Sequence, residues 1–214
     1  MRYLTDNVLK PAALLAVVLG LAACAGGPTA SAPTTPRTAE VAEAATEVAP
    51  AVMRQYTDAQ TLMSVEDYAG AAQILEPFVG QYPQFPAAAT TLAIALRELG
   101  REDEALARLE TMLVSHDGYA PGWNEVGILH RQAGRFADAE AAYLKAVTVK
   151  PDYALAHFNY GILLDLYLAR PKQALEHYER YQSLAPDEDK DVKRWIADIS
   201  RRIARATQAA QVAQ

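Results

Sequence analysis

Apolar and small residues return along this chain at an interval of 34. Ile94, Ile128 and Ile162 share that spacing, as do the aromatics Phe85, Tyr119 and Tyr153 and the small residues Ala93, Gly127 and Gly161. Gly100 and Gly134, Arg101 and Arg135, and Ala105 and Ala139 repeat at the same distance, and Pro83 and Pro151 stand two intervals apart. A fixed period of this length marks stacked supersecondary units, each too small to bury its apolar face alone. Alanine is abundant and β-branched runs are scarce, so the units are expected to be helical. After Pro186, residues Val192, Trp195, Ile196, Ile199 and Ile203 fall on one helical face, with acids at its start and Arg201, Arg202 and Arg205 at its end. That charge order suits the helix dipole and predicts a helix covering the open end of the last unit. A partner-binding amphipathic helix is the other reading of this segment, and fraying is expected from about Ala206.

The first residues have a different pattern. Arg2 and Lys10 precede an apolar stretch, Ala12 to Leu19, which runs through Gly20 into Leu21-Ala22-Ala23-Cys24. A basic start, a short apolar segment and small residues before a cut describe a secretory signal over residues 1–23. The stretch is well short of the ~20 apolar residues needed to span a bilayer. The tetrad ending in Cys24 resembles the lipobox of bacterial lipoprotein signals. That resemblance implies diacylglycerol on the Cys24 sulfur, cleavage before it and acylation of the new amine. Three acyl chains exceed the two signals that stable anchoring requires. Residue 25 is alanine, where an aspartate resembles an inner-membrane retention signal, so the resemblance implies the outer membrane, facing the periplasm. Residues 24–48 are rich in Ala, Pro, Thr and Gly and read as a tether, with a reach of roughly 25–30 Å.

Composition narrows the class further. Apolar residues make up 51% and charged residues 21%, which excludes a wholly disordered polyampholyte. A net charge of −6 argues against a nucleic-acid binder, which needs a basic face for phosphates. The single cysteine excludes a disulfide framework and a multi-thiolate metal site.

The unit from Ala120 to Tyr153 carries the clearest signature: Trp123, Val126, Gly127, Ala139, Tyr143, Ala146 and Pro151, with Gly134 at the turn between its helices. It resembles the tetratricopeptide repeat. In that register the units are 52–85, 86–119, 120–153 and 154–187, the last with one extra residue placed in the Leu168–Pro171 turn, and residues 188–207 form the capping helix. The resemblance implies an all-α, right-handed α-solenoid of about four helix pairs, with Gly127 small for close helix approach.

No zinc-protease, phosphate-loop or nucleophile-elbow motif is present. His130 and His157 fall on helix-packing positions, so the expectation is a protein that is not an enzyme and holds no cofactor or metal. The family places protein-binding residues on the first helix of each pair, lining a concave groove. Transferred residue by residue, these are Thr90, Ile94 and Arg97, then Asn124, Ile128 and Arg131, then Phe158, Ile162 and Asp165. Asn124 with Arg97 and Arg131 is expected to hold a peptide carboxylate or backbone, above an apolar floor of Ile94, Ile128, Phe158 and Ile162. The layout of lipobox and repeats resembles lipoproteins of pilus assembly. It implies a lipid-anchored scaffold binding a protein or peptide segment of an envelope complex such as a pilus or secretion machine. A partner subunit of a TonB/ExbB-type transport system, or a component of outer-membrane protein insertion, is the alternative.

Overall fold

In a computed structural model of the chain, residues 50–212 are described, apart from 186 and 188. The signal segment, Cys24, the tether, Pro186 and the last two residues lie outside the described residues. The chain divides into two compact units, Met1–Met53 and Arg54–Gln214, and the described part of the first is the opening turn of a helix.

Nine helices and one π-helical turn make up the regular structure of the described residues. They are α1 (Pro50–Ser64), α2 (Tyr68–Gln81), α3 (Pro86–Glu98), α4 (Glu102–Ser115), α5 (Ala120–Gln132), α6 (Phe136–Val149), α7 (Ala154–Ile162), the π turn (Leu163–Tyr167), α8 (Pro171–Leu184) and α9 (Lys190–Val212). Helices α3, α5 and α7 begin at 86, 120 and 154, and α2, α4 and α6 at 68, 102 and 136. The period of the residues is therefore the period of the helix starts. Prolines open α3, α5 and α8, where the missing N–H is one that no helical carbonyl would have bonded. First helices pack on first helices, α3 on α5 and α5 on α7, while α4 and α6 each bridge to the pair that follows.

The turn inside each pair needs one residue in the left-handed region. Gly100 and Gly134 supply it at φ 74°, and Glu66 and Ala169 hold the same place at 60° and 53°. The left-handed residue lets the next N–H return to the helix end. Asp67, Arg101 and Arg135 donate to the carbonyls of Leu62, Leu96 and His130, each at 2.9 Å. In the fourth pair Arg170 reaches Leu164 at 2.8 Å, one residue further back. The extra residue of this unit therefore does not lengthen the Leu168–Pro171 turn, as expected from sequence. It is absorbed before the turn, in the π-helical segment, where the Leu168 N–H bonds the Leu163 carbonyl at 3.0 Å. A wider helical turn accommodates an insertion while every backbone donor keeps a partner.

Packing within each pair follows a volume rule. Ala59, Ala93, Gly127 and Gly161 are equivalent positions of the four first helices. Opposite them in register stand Leu75, Leu109, Tyr143 and Tyr178, all fully buried. Alanine goes with leucine and glycine with tyrosine. A Cβ built on Gly127 would lie 2.5 Å from Cε1 of Tyr143, and one on Gly161 would lie 2.7 Å from the same atom of Tyr178. What excludes a side chain at Gly127 is thus an aromatic ring, and it excludes even a methyl. The Tyr143 ring continues toward Tyr160, 6.1 Å away, and so joins the third pair to the fourth.

Helix α9 closes the array. Val192 and Ile199 are buried with Tyr178, Leu163 and Leu164, and Ile196 and Ile203 pack against the same cluster. The helix continues to Val212, beyond Ala206 where fraying is expected. Its Ala- and Gln-rich end has good intrinsic propensity although every residue from Ala204 to Val212 is exposed.

Gly127→Ala is expected to destabilise by about 1–3 kcal/mol, because the methyl forces the Tyr143 ring to shift. Adding Tyr143→Leu recreates the alanine–leucine pairing of the second unit and should restore part of the loss. Urea titration of the two variants checks this; equal midpoints for Gly127→Ala and the parent would refute the packing rule.

Candidate functional site

The first-helix layer is bridged by polar pairs at each step. The Tyr56 hydroxyl and Thr91 Oγ1 lie 3.1 Å apart between α1 and α3. Arg97 Nε donates to Glu125 Oε1 at 2.5 Å between α3 and α5. Asn159 Nδ2 donates to Asn124 Oδ1 at 3.0 Å between α5 and α7, with both side chains buried. Thr91, Glu125 and Asn159 are the same position of successive units. That single register position carries the cross-unit bond each time, with a different chemistry.

These bonds decide what the expected groove residues can do. Thr90 is buried and its hydroxyl donates to the Pro86 carbonyl at 3.0 Å, so it serves its own helix. The Asn124 carbonyl is committed to Asn159. Arg97 is held by Glu125 and, at 2.7 Å, by Glu98. Burial works against the Arg97 charge, but the two carboxylates raise its pKa above the usual arginine value. Burial pushes the Glu125 carboxyl up, while Arg97 beside it pulls the other way. Arg97, Asn124 and Arg131 are therefore not three equivalent free groups. Arg131 differs from Arg97: it is buried, Nε donates to the Tyr143 hydroxyl at 3.3 Å, and its guanidinium lies 5.8 Å from the Tyr167 ring centroid.

Ile94 and Ile128 are half-buried, whereas Ile162 belongs to the core. Phe158 and Asp165 meet the chain's own last helix. The Phe158 ring stacks on Trp195 at 6.0 Å between centroids, and Asp165 accepts from Arg202 at 2.7 Å. Helix α9 thus occupies part of the surface that the fourth unit was expected to offer a partner. Glu125, Asn159 and Tyr167 were not anticipated from the sequence. An acid at a position otherwise packed between helices was the available signal for Glu125; nothing marked Tyr167, whose place follows from the π turn.

Two of the four histidines, His157 and His177, form a pair. His157 Nδ1 and His177 Nδ1 are 2.9 Å apart, and His157 Nε2 donates to the Pro151 carbonyl at 3.1 Å. That second bond leaves His157 Nδ1 as the acceptor from His177. Burial and the neighbouring His157 push His177 down to about 4, and burial lowers His157 as well, with Arg180 nearby. Among the described residues no group of three or more His, Cys, Asp or Glu is placed to hold a metal, and no helix is long and apolar enough to cross a membrane.

Paired helices stacked at a fixed period, with polar bridges along one layer, define a helical-repeat protein of the kind that presents a surface to other proteins. The chain matches the tetratricopeptide repeat family over residues 62–123 and 127–189, together more than half its length, and belongs to that family. Among solved structures it is similar to a thermophilic TPR protein of Thermus thermophilus, with 20% identity and a TM-score of 0.60, over 74% of this chain and 86% of that one. It is similar to pilF of Pseudomonas aeruginosa, with 20% identity and a TM-score of 0.64, over 75% and 72%. The first TPR of Spaghetti (RPAP3), bound to HSP90 peptide SRMEEVD, matches at 20% identity and a TM-score of 0.52, over 56% and 97%. At these identities the likeness is one of fold. No curated protein matches the chain.

Arg97→Met strands a buried carboxylate and is expected to cost about 3–5 kcal/mol, whereas Arg97→Met with Glu125→Leu should recover most of that loss. Thermal and urea unfolding of the two variants test it, and a harmless single substitution would contradict the pairing. The histidine pair gives a pH dependence of definite sign. An unfolded histidine protonates at about 6.5, while the folded pair is held neutral below that value. Its contribution is complete above that pH and is lost as pH falls toward the depressed folded value. Unfolding midpoints measured from pH 7.5 to 4.5 should decline, and the decline should flatten in His177→Gln.

Proposed function

We propose that this protein is a non-catalytic scaffold, anchored by lipid on Cys24 to the outer membrane and facing the periplasm. Its first-helix layer binds a segment of another protein and so helps assemble or localise an envelope complex such as a pilus or secretion machine. The observation that carries this reading is the order of parts along one chain. A basic and apolar leader ends in Leu21-Ala22-Ala23-Cys24, a tether follows, and then a family whose structures include one with a bound peptide. The half-buried Ile94 and Ile128, on adjacent first helices, supply apolar contact beside the polar bridges. The tether's length would hold such a layer clear of the lipid surface.

The test combines anchoring and capture. Mass spectrometry of the N-terminal peptide should find acyl chains on Cys24, and Cys24→Ser should leave the leader uncleaved. A photo-crosslinking side chain at Ile94 or Ile128 should capture the same envelope protein. One at Leu144, exposed on the second helix of its pair, should capture none. An unmodified Cys24 would refute the anchor, and equal capture from Leu144 would refute the surface.

A further inference from the structure

Between the second and third units the chain departs from its own pattern. The turns that lead into α3, α5 and α7 are built alike: the N–H groups of Phe85, Tyr119 and Tyr153 donate to the carbonyls of Tyr82, His116 and Lys150, at 3.1, 2.9 and 3.0 Å. In two of them the residue after the acceptor is proline, Pro83 or Pro151, whose fixed φ suits the turn. In the middle one the pair is Asp117-Gly118, the single Asp-Gly of the chain.

The fold does not need that glycine. Gly118 is not in the left-handed region, and a Cβ built on it would meet nothing within 4 Å. Gln84 and Asp152 hold the same place in the other two turns. Gly118 is exposed, and among the described residues no acceptor takes its N–H. The Asp117 side chain is 78% exposed, with Lys145 Nζ 3.5 Å from Oδ2. An aspartyl carboxyl is thus followed by an unbonded N–H with no side chain to crowd it, on an exposed turn that opens locally at little cost. Those are the conditions for closing a five-membered imide.

We propose that Asp117-Gly118 is a site of spontaneous backbone rearrangement to isoaspartate. The Gly118 nitrogen bonds to Asp117 Cγ, and one carboxyl oxygen leaves as water, with the amide hydrogen and a proton from solvent. The imide then takes up water at either carbonyl. Opening at Cγ returns aspartate. Opening at the α carbonyl leaves the chain running through Cγ, one methylene longer, with the old main-chain carbonyl now a free carboxylate. That carbonyl is the one to which Trp123 Nε1 donates at 2.6 Å, so an indole of α5 reports the change. The rearrangement alters the joint between the second and third units and does not depend on what the first-helix layer binds.

The experiment incubates the purified full chain at neutral pH, folded and in urea, and maps its peptides by electron-transfer fragmentation. Isoaspartate should build up at residue 117 ahead of every other aspartate, Asp152 of the following turn included, and a peptide lighter by one water should mark the imide. Gly118→Ala should lose most of the conversion while keeping the thermal midpoint. Asp117→Glu, whose ring would need a sixth member, should lose all of it. The indole N–H signal of Trp123, identified by its loss in Trp123→Phe, should move in step with conversion. Conversion confined to urea, faster conversion at another aspartate of the folded chain, an equal rate in Gly118→Ala, or an indole signal that ignores the conversion would each overturn the proposal.

Discussion

The contact between the small residue of each first helix and the large residue of its second sets the spacing on which everything else depends. Where the second helix offers leucine, at Leu75 and Leu109, the first carries alanine; where it offers tyrosine, at Tyr143 and Tyr178, the first carries glycine. The sum of the two volumes is kept while the partition changes. Interiors are packed too densely to absorb a change on one side alone. The larger ring does more than fill space, because its far end leaves the pair. Tyr143 reaches Tyr160 of the next unit, and its hydroxyl takes a bond from Arg131. Glycine at 127 therefore has a consequence on the polar layer: without it the ring cannot sit where Arg131 finds a partner.

The architecture was legible because its causes are local and repeated. The interval of 34 appears in isoleucines, aromatics, small residues and turn glycines alike, and each has a mechanical role in the same place of every unit. The exceptions were harder to read. Glu66 and Ala169 hold left-handed backbone without being glycine, so composition did not mark those turns. The surplus residue of the fourth unit gave no sign of where it would go. An insertion near a turn looks like a longer turn, but the ladder of N–H donors is better kept by a π-helical turn upstream.

The polar layer was legible only as a set of positions. Arg97 and Arg131 look identical in the sequence, but a side chain's availability is set by what faces it: an acid 28 residues away in the next unit in one case, and a tyrosine 12 residues away in its own unit in the other. A period identifies equivalent residues, whereas the partner identifies their state. The same holds for Phe158 and Asp165, whose place on the first helix suits an external ligand. Both instead meet Trp195 and Arg202 of α9, a helix outside the period.

Helix α9 completes the physical logic of the layer. A stack of helix pairs ends in an unpaired apolar face, and Val192 and Ile199 cover it as a further first helix would. Covering brings the side chains that a following unit would have supplied: Arg202 toward Asp165, as Glu125 faces Arg97 and Asn159 faces Asn124. Each step of the layer is thus closed by a polar bond whose two members come from adjacent elements. The third step is closed by a neutral amide pair, and Arg131, on the first of its two helices, donates to the hydroxyl of Tyr143 where Arg97 meets an acid.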